Sequence, residues 1–156
     1  MGQPDFDLIE VTARLQSKGN WHELETPMGS VRAGIVSMGN PHAVIPVDDV
    51  ITAHLPDLGQ LITGHPAFPR GCNAGFVEVK DRRTVQLRVF ERGSGETLSC
   101  GSGACAAAAI LIREGLTEPT VEIIQEGGTL KVEWSGPGEN LKMTGPATYV
   151  FQGTLA

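Results

Sequence analysis

Residues 103–114 read Gly-Ala-Cys-Ala-Ala-Ala-Ala-Ile-Leu-Ile-Arg-Glu, followed by Gly115. A helix over this stretch is apolar nearly all round, so it belongs in an interior rather than on a surface. The run of alanines lets neighbouring backbones approach from several sides, and Gly115 is a natural C-terminal stop. A buried helix needs a shell, and the rest of the chain supplies strands. Segments 76–80 and 84–90 read as a hairpin through Asp81-Arg82-Arg83. Segments 120–125 and 129–134 flank Glu126-Gly127-Gly128, a glycine pair that accepts the positive φ of a tight turn. Segments 141–143 and 148–152 are expected to extend that meander. Segments 8–15 and 30–36 are rich in β-branched residues but alternate imperfectly. A second helix is expected over 51–62, interrupted at Pro56 and packed near the surface. The expectation is an α+β fold: a curved, mostly antiparallel sheet wrapped around one central buried helix.

A chain of 156 residues suits a single domain, here 1–156, with a core that needs neither disulfides nor a structural metal. Acidic side chains outnumber basic ones 18 to 12, leaving no basic surplus for nucleic acid. Aromatics make up 5%, which argues against a base-stacking platform. No apolar run is long enough to span a membrane, and the opening Met1-Gly2-Gln3-Pro4-Asp5 lacks the features of an export signal. Three cysteines cannot all pair within one chain. A reducing cytoplasm and free thiol chemistry are the expectation.

The densest polar cluster, Glu91 to Gly103, stands directly before the apolar helix. A helix starting near Ser102 aims its unpaired amides and positive dipole end at whatever lies in front. The amides of Gly101, Ser102 and Gly103 could then hold a carboxylate. Cys100, at the same terminus, is expected to have its thiolate favoured and its pKa lowered. The same loop could also be purely structural. Cys105, about 140° round the helix among alanines, reads as core. Cys72, between Gly71 and Asn73, could be exposed, but nothing nearby activates it. Asn40 and His42 lie in Ser37-Met38-Gly39-Asn40-Pro41-His42, and Asn73 in Gly71-Cys72-Asn73-Ala74-Gly75-Phe76. Each asparagine could read an ammonium or a carboxylate, or simply form a turn. Glu91 and Arg92 could clamp a zwitterion, or pair with each other at the surface. His22, His54 and His65 show no ligand spacing, and no metal site is expected.

Together, Met38-Gly39-Asn40-Pro41-His42, Asn73-Ala74-Gly75-Phe76, Glu91-Arg92-Gly93-Ser94-Gly95-Glu96-Thr97 and Ser99-Cys100-Gly101-Ser102-Gly103-Ala104-Cys105-Ala106 resemble the diaminopimelate epimerase family. The resemblance implies a cofactor-independent isomerase of lysine and peptidoglycan-precursor biosynthesis. Such an enzyme interconverts LL- and meso-diaminopimelate with two cysteines. It also implies that Cys100 is one catalytic cysteine, that Asn40, Asn73, Glu91 and Arg92 bind substrate, and that the Gly101 and Ser102 amides hold its α-carboxylate. His42 belongs to the matched motif without an assigned role.

The family pattern is nearly twice as long, with two similar halves facing across a cleft and a second cysteine in a Cys-Gly-Asn-Gly motif. That motif is absent here. The chain therefore looks like the second half alone, with the first half as its missing partner. Inverting a stereocentre needs a base on one face and an acid on the other, so one thiol is expected to give negligible turnover. The different-class alternative is a non-catalytic substrate-binding or interaction module that has lost turnover. A third reading is a proline racemase-like or phenazine-pathway isomerase of the same fold. Faces meant for the missing half would be exposed, so self-association, for instance as a homodimer, is expected.

Overall fold

The computed structural model describes residues 1–7, 15–18, 20–53 and 55–154. Most of the segment 8–15, and His54, lie outside the described residues. The elements run β1 (Gln16–Lys18), β2 (Trp21–Thr26), β3 (Gly29–Ser37), β4 (Pro41–Pro46), α1 (Leu55–Thr63), β5 (Asn73–Asp81), β6 (Thr84–Glu91) and β7 (Gly95–Thr97). They continue with α2 (Gly101–Arg113), β8 (Thr120–Gln125), β9 (Gly128–Glu133) and β10 (Lys142–Thr144). The fold is α+β. One mixed sheet has the order β1-β2-β3-β4-β5-β6-β8-β9-β10, with β7 added to β6. Pairings are antiparallel except at β4–β5 and β6–β8.

Alternation along the central strands sorts side chains onto two faces. Val36, Val44, Val77, Val85, Leu87 and Val89 pack with α2. Ala33, Ile35, Ala43, Ile45, Ala74 and Phe76 face the other way, with Leu55 and Ile62 of α1. Each sheet face thus carries a helix, where the sequence suggested one central helix and one surface helix. Every residue from Gly103 to Leu111 is buried, as the all-round apolar pattern of α2 requires.

The ends of the helices follow from local chemistry. Pro56 does not interrupt α1; it falls at the start of the helix, where no intrahelical N–H is needed. Gly115 adopts φ 69° just beyond α2. The Gly115 and Leu116 amides donate to the Ile112 and Leu111 carbonyls at 3.0 and 2.9 Å, satisfying the helix end. The β8–β9 hairpin closes with Gln125 opposite Gly128, and of its two glycines only Gly128 takes a positive φ. Residues 148–152 do not join the meander. They form no strand, and Tyr149, Val150 and Phe151 are 78%, 81% and 80% exposed.

Candidate functional site

The one parallel pairing beside β5 is what gathers the polar motifs. Because β4 and β5 run the same way, their starts lie together, with His42 opposite Asn73. Because β6 runs against β5, its end comes back to the same edge, with Phe90 opposite Ala74. Asn40, His42, Asn73, Glu91 and Arg92, distant in sequence, therefore share one end of the sheet.

Cys100 is the N-cap of α2, with extended φ and ψ of −136° and 108°. Its Sγ accepts from the Gly103 amide at 3.3 Å and lies 3.6 Å from Ser102 Oγ. The Gly101 and Ser102 amides have no hydrogen-bond partner among the described residues. They remain available to an anion. The expected lowering of the Cys100 pKa is not what the structure gives. Burial pushes the thiol up, the Ser102 hydroxyl and Gly103 amide oppose that, and the nearby Glu91 carboxylate adds to the rise. At 6% exposure the desolvation of the thiolate outweighs the helix terminus. Cys100 therefore rests as a thiol.

His42 is 1% exposed, and its Nε2 lies 3.3 Å from Asn40 Oδ1. Burial lowers its pKa to about 4, against a smaller upward pull from Glu91, so the imidazole is neutral at pH 7. Asn73, 6% exposed, accepts the Arg92 amide on Oδ1 at 2.9 Å. Its Nδ2 has no hydrogen-bond partner among the described residues and can donate to a ligand acceptor. Glu91 accepts from Thr97 Oγ1 at 2.6 Å, and it does not pair with its neighbour. Arg92 instead donates through Nη1 to the Arg70 carbonyl. Its side chain crosses Gly71, where an added Cβ would meet Arg92 Cδ at 2.8 Å.

The other thiols are set apart. Cys72 is buried rather than exposed; burial pushes its pKa up to about 12, and its Sγ donates to the Ile62 carbonyl at 3.4 Å. The structure places Cys105 in the core, as its alanine neighbours suggest, with its pKa raised by burial to about 11. No cluster of three or more potential metal ligands occurs among the described residues. No helix among them is long and apolar enough to cross a membrane.

Thr97 and Gln125 are site neighbours that sequence reasoning did not single out. Thr97 ends the Glu91-Arg92-Gly93-Ser94-Gly95-Glu96-Thr97 run. Gln125, whose Oε1 accepts from the Cys100 amide at 2.8 Å, had no local signal at all.

Two solved structures share the fold at low sequence identity. A probable proline racemase from Agrobacterium radiobacter K84 aligns with a TM-score of 0.55 at 17% identity, covering 78% of this chain and 44% of that one. A hydroxyproline epimerase from Agrobacterium vitis aligns with a TM-score of 0.54 at 19% identity, covering 79% and 45%. Sequence is more specific. The family model described as diaminopimelate epimerase matches residues 34–150. The chain is 46% identical over 155 residues to the diaminopimelate epimerase of Chromobacterium violaceum, covering 99% of this chain and 56% of that protein. The chain belongs to the diaminopimelate epimerase family, a family of isomerases, and spans about half the length of that relative.

Proposed function

We propose that residues 1–156 form the C-terminal domain of a two-domain, cofactor-independent diaminopimelate epimerase of lysine and peptidoglycan-precursor biosynthesis, working in the cytoplasm. Cys100 is the proton carrier of this half. The observation that carries the reading is Cys100 itself: an N-cap thiol held by the Gly103 amide, with two unpaired amides beside it. Asn40, Asn73, Glu91 and Arg92, gathered at the same sheet end, bind the zwitterionic substrate. The Gly101 and Ser102 amides take its α-carboxylate.

A resting thiol is suited to give a proton to the α-carbon. The reaction then needs a base approaching from the opposite face, which this chain lacks. Alone, one thiol can only remove and return a proton on one side, so the isolated chain is inactive. Water exclusion and electrostatic strengthening also depend on a closed cleft. Six neighbouring strands, about 24 Å across if flat, all touch α2, a cylinder about 10 Å wide, which supports a sheet curled around that helix. The exposed run Tyr149-Val150-Phe151 supports contact with a further domain or a second copy.

The test is complementation with LL-diaminopimelate in deuterated water, following both meso product and deuterium at the α-carbon. This chain alone should give no meso product, and any deuterium a single thiol returns should enter with the original configuration retained. Adding a separately produced first half carrying the second cysteine should give meso product with deuterium at the α-carbon. Turnover by the chain alone would refute the two-base reading. No turnover after mixing, with substrate still bound, would favour a binding module that has lost catalysis.

A further inference from the structure

β8 and β7 share one edge of β6 from opposite ends. β8 pairs in parallel with residues 84–86 of β6, and β7 pairs antiparallel with residues 89–91. β8 therefore ends where the chain leaving β7 has to turn into α2. Two hydrogen bonds join the pieces there. The Cys100 amide donates to Gln125 Oε1 at 2.8 Å, and the Gly127 amide donates to the Leu98 carbonyl at 2.7 Å.

The backbone N–H of an N-cap residue lies outside the helical ladder. In a capping box, a Glu or Gln at the third helical position folds back to accept it. Here that position is Gly103, which has no side chain to offer. It cannot readily gain one: an added Cβ would lie 3.1 Å from Val89 Cγ2 and 3.2 Å from Cys100 Sγ. The sulfur serves the Gly103 amide, but the reciprocal bond has to come from elsewhere. Gln125, 6% exposed, supplies it from β8. Since an N–H needs an acceptor, the amide is oriented with oxygen towards Cys100, and Nε2 is buried without a partner among the described residues. That orphaned donor is unfavourable, so the acceptor, not the amide as a whole, is what the position uses.

We propose that Gln125 is the positioning residue for Cys100, completing the cap of α2 from another strand and holding the backbone so that the sulfur faces the Gly103 amide. Its importance for catalysis rests on the proton-carrier role proposed for Cys100. The positioning itself is measurable without any substrate.

Amide hydrogen exchange by NMR on the full 156-residue chain tests it, comparing Gln125→Leu with Gln125→Glu. Leucine removes the acceptor at similar size, so the Cys100 and Gly103 amides should exchange about tenfold faster or more. Amides of Ala107, Ala108 and Ala109 should stay within about twofold of the unaltered chain. Glutamate keeps an acceptor oxygen and removes the orphaned donor, so it should restore protection. Its charge should move the pH midpoint of Cys100 alkylation upward while leaving Cys105 unmoved. Unchanged exchange at Cys100 and Gly103 in Gln125→Leu would overturn the proposal. So would acceleration shared along the whole helix, or protection that Gln125→Glu does not restore. If the leucine variant does not fold, the Gln125→Glu alkylation profile decides alone, and an unmoved midpoint overturns it. Failure of the epimerase reading would appear in the complementation assay and leave these exchange rates unaffected.

Discussion

Acidification should unfold this protein partly through one imidazole. His42 is 1% exposed, and burial lowers its pKa from 6.5 to about 4. Between those two values the unfolded chain holds the proton and the folded chain does not, so stability falls as pH falls. The contribution is fully present above pH 6.5 and is lost progressively down to about pH 4. Linkage makes the loss about 2 kcal/mol by pH 5 and about 3 kcal/mol in full. Glu91 is the charged group that opposes the shift. Burial lowers His22 as well, in the same direction, so the wild-type slope alone does not isolate His42. The comparison is therefore with His42→Gln, which cannot titrate. Urea unfolding at pH 7.5 and 5.0, followed by fluorescence of the buried Trp21 and Trp134, gives both slopes. The wild type should lose about 2 kcal/mol more than the variant between those pH values. Equal losses would refute the reasoning and mean that His42 is protonated, or solvated, in the folded chain.

Two further expectations concern the thiols. Brief iodoacetamide treatment at pH 8, read by peptide mapping, should label Cys100 ahead of Cys105 and Cys72, because the latter two are held near 11 and 12 by burial. Since the Cys100 pKa is itself raised, its labelling rate should keep climbing above pH 9; a plateau near neutrality would contradict the structure. Cys100→Ser should leave stability within about 0.5 kcal/mol, because serine is a good N-cap, whereas Cys100→Ala should cost about 1 kcal/mol in urea unfolding. Both should abolish epimerisation in the complemented enzyme, and retained turnover would remove Cys100 from the mechanism.

What could be read in advance depended on whether the information was local. The start and stop of α2, the β5–β6 hairpin and β8–β9 follow from periodicity and glycine placement within short windows. β4 was harder, since Pro41 and Pro46 bound it and make it look like a loop, although its four inner residues are buried. The run at 148–152 has the composition of a strand, but pairing needs a neighbouring edge, and composition does not supply one. At the site, the position of Cys100 at a helix terminus was legible, and its burial was not. The dipole and the desolvation act in opposite directions, and only the packed structure decides between them. The burial of Cys72 was illegible for the same reason, because its flanking residues say nothing about the fold around it. Gln125 was invisible because it acts across 25 positions of sequence.

That separation has a consequence for synthesis. A nascent chain released only as far as the end of α2 would carry the reactive sulfur without the seat that aligns it. The geometry exists only once the β8–β9 turn has emerged and closed against residues 98–100. Seating of the thiol should therefore follow closure of that turn, not formation of the helix that bears it.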